Sequence, residues 1–151
     1  MSLEENKEII RRLNNVYNTQ NWDLIDDLIS PDYVDHSNKI QGPDALKTLM
    51  KMGKSAFPDW HENIEDIIAE GDKVWVFLTY TATHTGEWFG VAPTGKKITA
   101  TSVDIHRIVN GKVTEYWNVT YNLDFFKSLG LIENTEEGEK FFKKFVLEDV
   151  K

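Results

Sequence analysis

The sequence predicts an α+β fold in which helices come first and a run of antiparallel strands follows. Two observations carry that expectation. Up to Pro58 the apolar residues recur at helical spacing, and from there to about residue 122 they alternate with a period of two. Glu70-Gly71-Asp72, Pro93-Thr94-Gly95 and Asn110-Gly111 then punctuate the second part as turns between neighbouring strands. A chain of this kind makes one core by wrapping a curved sheet around its helices.

The elements follow in order. Residues 4–19 bring Ile9, Ile10, Leu13, Val16 and Tyr17 to one helical face, with charge between them. Trp22 to Ile29 repeats that pattern briefly until Ser30-Pro31 ends it, and Tyr33 to Ser37 reads as a short strand. Gly42-Pro43 opens a further helix, because proline at the first helical position gives up only an N–H that has no partner there. On it Leu46, Leu49, Met50 and either Met52 or Gly53 point one way, and Phe57-Pro58 stops it. Strands are expected at about 60–70, 73–86, 96–109 and 112–122, then a helix at 123–131. The tail from Thr135 to Val150, with Phe141, Phe142, Phe145 and Val146 on one side, reads as an amphipathic helix. The expectation is one domain over residues 1–151, with a helix at about 135–150 added to it.

Composition narrows the function. A net charge of −8 argues against a nucleic-acid partner, since phosphate binding needs clustered Lys and Arg. The absence of cysteine leaves no disulfide, thiolate metal site or cysteine nucleophile. MSLEENKEII lacks the apolar centre of a signal peptide, and no apolar run approaches a membrane span, so a cytoplasmic location and no membrane partner are expected.

The stretch EYWNVTYN, residues 115–122, carries the functional question. Two turns fit Val109-Asn110-Gly111. A two-residue type I′ loop pairs Val109 with Lys112. A three-residue loop with a glycine bulge instead sets Ile108 against Lys112, Asp104 against Tyr116 and Ser102 against Asn118. Segregation of polar from apolar side chains favours the three-residue loop. It gathers Ser102, Asp104, His106, Thr114, Tyr116, Asn118 and Thr120 on one face, and Val103, Ile105, Val113, Trp117, Val119 and Tyr121 on the other. That polar face is either ordinary wet surface or the wall of a pocket, and pattern alone favours the wet surface, because most polar strand faces are solvated.

A wider set of motifs bears on the choice. The run THTGEWFGVAPTGKKITATSVDIHRIVNGKVTEYWNV at 83–119, with NKEIIRRL, DLISPDYVDHS, QGPDALKTLM and FPDWHENIEDIIAEGDKV upstream, resembles the SnoaL-like polyketide cyclase group of the NTF2-like superfamily. The resemblance covers the chain up to about Leu131. It implies an NTF2-like, cystatin-like cone enclosing one pocket for a small apolar or polyketide-like molecule. It also implies a homodimer formed through the outer sheet face, and ring closure by an acidic side chain without metal or organic cofactor. In the group's pattern the residue after the tryptophan is commonly the acid/base Asp. Here Trp117 is followed by Asn118, which cannot exchange a proton near neutral pH. The carboxylate is at the partner position, Asp104. Three readings stay open: Asp104 as general base with Asn118 and Tyr116 holding a substrate oxygen, a non-catalytic binding pocket, or another proton transfer of isomerase or epoxide hydrolase type.

Other residues have weaker cases. His36 is expected at the pocket mouth, and His106 on the surface near the hairpin end. Trp88 and Phe89, on a loop, are expected to cover the open end of the pocket or to meet a second subunit. Tyr33, Tyr17 and Met50 are candidates for its lining, and Trp60 and Trp75 for the core. No tight ligand spacing joins His36, His84 and His106, so no metal site is expected.

Overall fold

The computed structural model describes residues 2–120 and 122–147, without the side chains of Asn122, Asp124 and 142–147. The helices are α1 (Leu3–Thr19), α2 (Ile25–Leu28), α3 (Pro43–Ala56), α4 (Asn122–Leu129) and α5 (Glu136–Leu147), and a 3-10 turn covers Trp22–Leu24. The strands are β1 (Ile29–Asp35), β2 (Ile40–Gln41), β3 (His61–Glu70), β4 (Lys73–Thr83), β5 (Lys97–Val109) and β6 (Lys112–Thr120). They form one curved sheet in the order β2-β1-β6-β5-β4-β3. The sheet is mixed, not wholly antiparallel as expected: β1 lies parallel to β6. That pairing joins segments some eighty residues apart in sequence, which local periodicity does not reveal.

Local chemistry fixes the helices that fill the cone. At the start of α1, Ser2 Oγ accepts from the Glu5 N–H and Glu5 Oε2 accepts from the Ser2 N–H, a capping box that satisfies two orphan donors. Asn6, Ile9, Ile10, Leu13 and Val16 form its buried stripe. On α3 the inward face continues through Gly53, whose missing Cβ leaves room for the Tyr17 hydroxyl, while Met52 is exposed. The sheet supplies the rest by alternation: Val74, Val76, Leu78, Tyr80 and Ala82 of β4 all point inward. Val16, Ile25, Ile29, Val74 and Val113 are sealed from solvent, each contributing about 1.5–3 kcal/mol of hydrophobic stabilisation.

The same alternation corrects the placement of Trp75. It is 42% exposed on the outer face, because its neighbours Val74 and Val76 take the inner one. Two cross-strand rows make that outer face apolar: Ile68, Trp75, Ile105 and Trp117, then Phe77, Val103 and Val119.

The β5–β6 turn is also corrected. Asn110 and Gly111 both have positive φ (51° and 80°) and Val109 pairs with Lys112, the two-residue loop. A one-residue bulge at Thr114 then follows, between the pairs Ile108–Val113 and Arg107–Glu115. Val113 is therefore buried on the inner face, not the outer one, and Asp104 stands opposite Asn118 instead of Tyr116. Tyr121 and the side chains of Phe142, Phe145 and Val146 lie outside the described residues.

Candidate functional site

The inner face of the sheet, with α1 and α3, encloses a cavity of about 320 Å³. Its middle is apolar, with Leu46, Leu49 and Met50 from α3 facing Val76 and Leu78 from β4. Polar groups enter from several elements, among them two carboxyls: Asp35 at the end of β1, tied to Ser37 and Asn38, and Asp104.

Asp104 lies in the cavity wall on β5, held between two donors from β6. Asn118 Nδ2 donates to its Oδ1 at 2.6 Å, and the Tyr116 hydroxyl donates to its Oδ2 at 3.1 Å. The direct Asp104–Asn118 pairing, a product of the bulge, makes the first bond possible. Asn118 Oδ1 accepts from the Thr120 hydroxyl, which fixes the amide so that its N–H₂ faces the carboxylate. Burial pushes the Asp104 carboxyl above its ordinary value, while hydrogen bonds from Asn118, Ser102 and Tyr116 pull against that shift. Burial, then the Asp104 charge, raises the Tyr116 phenol so far that it stays a neutral donor.

Of the residues singled out in the sequence, Asp104, Tyr116, Tyr33, Met50, Trp88 and Phe89 line the cavity. Asn118 does not; it touches Asp104 from behind, so its donor is spent on the carboxylate and not on a substrate oxygen. Trp88 packs edge-on against Phe57, 5.6 Å between centroids, and Phe89 stands at the rim with 67% of its surface exposed. Tyr17 and Trp60 line the cavity as well, with Trp60 stacked on Tyr80 at 4.5 Å.

Two histidines are not where the sequence put them. His36 is outside the cavity: its ring stacks on Trp117 at 4.6 Å and its Nε2 meets Glu115 Oε2 at 2.8 Å. The cause is the parallel pairing of β1 with β6, which anchors the His36 N–H on the Tyr116 carbonyl and turns the ring to the outer face. His106 is the reverse case, buried in the cavity wall instead of on the surface, and desolvation pushes it down to about 3, so it is neutral. His84 is wholly buried beside Phe57.

Sequence reasoning missed Glu62. It lines the cavity from β3, with Trp60 Nε1 donating to Oε1 at 2.9 Å and Asn14 Nδ2 donating to Oε2 at 3.1 Å. Counting back two residues from the inward Ile64 would have found it. Desolvation first, then the charge on Asp104, pushes its carboxyl up to about 7. Between the ordinary value of 4.5 and about 7 the folded protein therefore holds a proton that the unfolded chain has lost. Stability is fully present below that window and falls as pH rises through it, by at most about 3 kcal/mol. Chemical denaturation at several pH values should show this slope in the wild type and lose it in Glu62→Gln; a slope that is the same in both proteins would contradict it.

The comparisons with known proteins agree with this architecture. A family model described as SnoaL-like polyketide cyclase matches residues 7–129, and the chain belongs to that family. The helix α5 lies beyond the match. Among curated relatives, the aklanonic acid methyl ester cyclase DnrD of Streptomyces peucetius is 27% identical over 87% of this chain and 94% of its own. The cyclase of the same description from Streptomyces sp. (strain C5), DauD, is 26% identical over 87% and 85%. Among solved structures, AclR, a candidate hydroxylase of Streptomyces galilaeus, superposes with a TM-score of 0.80 at 32% identity, covering 95% of this chain and 93% of its own.

Proposed function

We propose that the protein performs acid/base chemistry of polyketide cyclase type on a carbonyl-rich small molecule, with Asp104 as the general base. The observation that carries this reading is a buried carboxylate, oriented by two donors, in the wall of a cavity whose middle is apolar. Asp104 removes a proton from a carbon flanked by carbonyls, the resulting enolate attacks a ketone carbon of the same molecule, and the new alkoxide takes up a proton. One C–C bond forms, protons only change place, and no electrons are gained or lost, so the balance needs no cofactor. Asn118, an amide where the family commonly has the acid, positions Asp104 and exchanges no proton itself.

The test is incubation with aklanonic acid methyl ester, the compound in the relatives' names, followed by mass spectrometry. Ring closure gives a product of unchanged mass. A second reading rests on the likeness to AclR: with dioxygen and an added two-electron reductant, hydroxylation would give a product one oxygen heavier and release the other oxygen as water. Ester recovered unchanged from a stoichiometric complex would make the protein a binder and end the catalytic reading.

A cytoplasmic homodimer is part of the proposal. Val119 (67% exposed), Ile68 (60%), Phe77 and Trp75 make an apolar strip on the outer face that a second copy would cover. Among the described residues no helix is long and apolar enough to cross a membrane. Sedimentation should give a dimer for the wild type and a folded monomer for Phe77→Glu/Val119→Glu; equal masses would mean the strip is not the interface.

A further inference from the structure

Glu62 has no part in the reaction just described, yet its position in the cavity is specific. Two α1 asparagines interrupt that helix's apolar side to meet it: Asn14 at its Oε2 and Asn18, which brackets the Glu62 backbone with Nδ2 donating to its carbonyl and Oδ1 accepting from its N–H. Trp60 holds the other carboxyl oxygen, and Lys54, buried under the Tyr17 ring, fixes Trp60 by donating to its carbonyl at 2.5 Å. The carboxyl is thus held in place at the cavity wall.

Glu62 and Asp104 do not form a dyad. Glu62 pairs with Tyr80 and Asp104 with Val76, so the two positions are separated by two strand spacings, about 10 Å, and by about 13 Å along the strands. Curvature and inward side chains shorten the gap enough for the Asp104 charge to act on Glu62, and Leu78 and Val76 of β4 line the same cavity.

We propose that Glu62 is a second ligand-binding residue of this pocket, donating a hydrogen bond to an oxygen of the bound molecule at the end remote from Asp104. The pocket then selects molecules with two separated oxygen functions on an apolar body: an activated carbonyl system at Asp104 and a carbonyl or hydroxyl oxygen at Glu62. The donor exists only in the neutral acid. Desolvation favours that form, as does the Asp104 charge from β5; Lys54 from α3 opposes it, and the phenols of Tyr17 (α1) and Tyr80 (β4) that face Glu62 are neutral, held there by burial. Binding therefore weakens as pH rises.

The inference rests on the proposed function for its choice of probe but is tested by binding and not by turnover. Calorimetric titration of aklanonic acid methyl ester into three proteins decides it. At about pH 6 the wild type and Glu62→Gln, whose amide still donates, should bind within about threefold of each other, and Glu62→Ala about tenfold more weakly. At about pH 8.5 the wild type should lose about tenfold in affinity while Glu62→Gln is unchanged. A residue with only a structural role would not make the pH dependence vanish in Glu62→Gln. Equal affinities in all three proteins, the same pH dependence in wild type and Glu62→Gln, or no binding by any of them would overturn the inference. Pattern and turnover separate the two claims: Glu62-dependent binding without turnover removes the base at Asp104 and leaves this site, and turnover indifferent to Glu62 does the opposite.

Discussion

Asp104→Asn should lower kcat by about 10² to 10⁴-fold, the span that a positioned general base contributes. The loss should be chemical and not structural. Asn118 Nδ2 still finds an acceptor in the new amide oxygen, and the Tyr116 hydroxyl can turn from donor to acceptor toward the new N–H₂. Removing a buried charge whose ionised form is disfavoured by burial also relieves a penalty. Melting temperature and ester affinity should therefore stay near those of the wild type while kcat falls. The pH profile gives a second signature. Because burial raises the Asp104 carboxyl, the acidic limb of kcat/KM should fall at a higher pH than an exposed aspartate would give, since the base works only when ionised. Turnover unchanged in Asp104→Asn would remove this residue from the chemistry.

Gly86→Ala should be the most damaging single methyl group in the described chain. The segment after β4 crosses the end of α3 so closely that the N–H groups of Thr85 and Gly86 both donate to the Ala56 carbonyl, at 3.0 and 2.9 Å. A Cβ on Gly86 would press into the Ser55 carbonyl oxygen and lie 2.9 Å from the Ala56 Cα, and both obstacles are backbone. Backbone cannot swing aside as a flexible side chain can, so overpacking of about 3 kcal/mol is expected, a fall of roughly 10 °C in Tm. The same shift would carry Trp88 off Phe57 and open the cavity end, so ester affinity should fall with stability. Gly71→Ala is the control: its φ is +58° but nothing lies within 4 Å, and only the backbone preference, about 1 kcal/mol, is lost. Similar Tm values for the two variants would contradict the close backbone crossing at Gly86.

Much of this architecture was legible because it is local. The apolar stripe of α1, the proline entry to α3 and the glycine turns between β3, β4, β5 and β6 each announce themselves within a few residues. Most of the polar face of the last hairpin was legible too: Asp104, His106 and Tyr116 line the cavity and Asn118 with Thr120 backs Asp104, while Thr114 sits in the bulge. Its pairing was not. Burial of Ile108 and Val113 demands one parity along β6, while Tyr116 and Asn118 facing inward demand the other, and only an extra residue at Thr114 satisfies both. Beyond the bulge, a tight Asn-Gly turn gives the same faces as a looser turn, with Tyr116, Asn118 and Thr120 inward; the two differ only before it, where Val113 turns inward.

The remaining misses share one cause, which is distance along the chain. The neighbours of His36 in DYVDHS point to the pocket mouth, but its surroundings are Trp117 and Glu115, reached through a parallel pairing with no local mark. Glu62 sat unremarked in a strand with many charges. Its meaning comes from Asn14, Asn18 and Asp104, on α1 and β5. Asn118 was legible as a departure from the family's acid, yet the structure was needed to show that its amide donates to Asp104 and is oriented by Thr120.

Proton abstraction can be watched without ring closure. With aklanonic acid methyl ester in heavy water, the wild-type protein should exchange the ester's most acidic C–H for deuterium about 10²-fold or more faster than buffer alone, and Asp104→Asn should exchange it at the buffer rate. Equal exchange by the two proteins would mean that the carboxylate at the centre of this cavity takes no proton from the ligand.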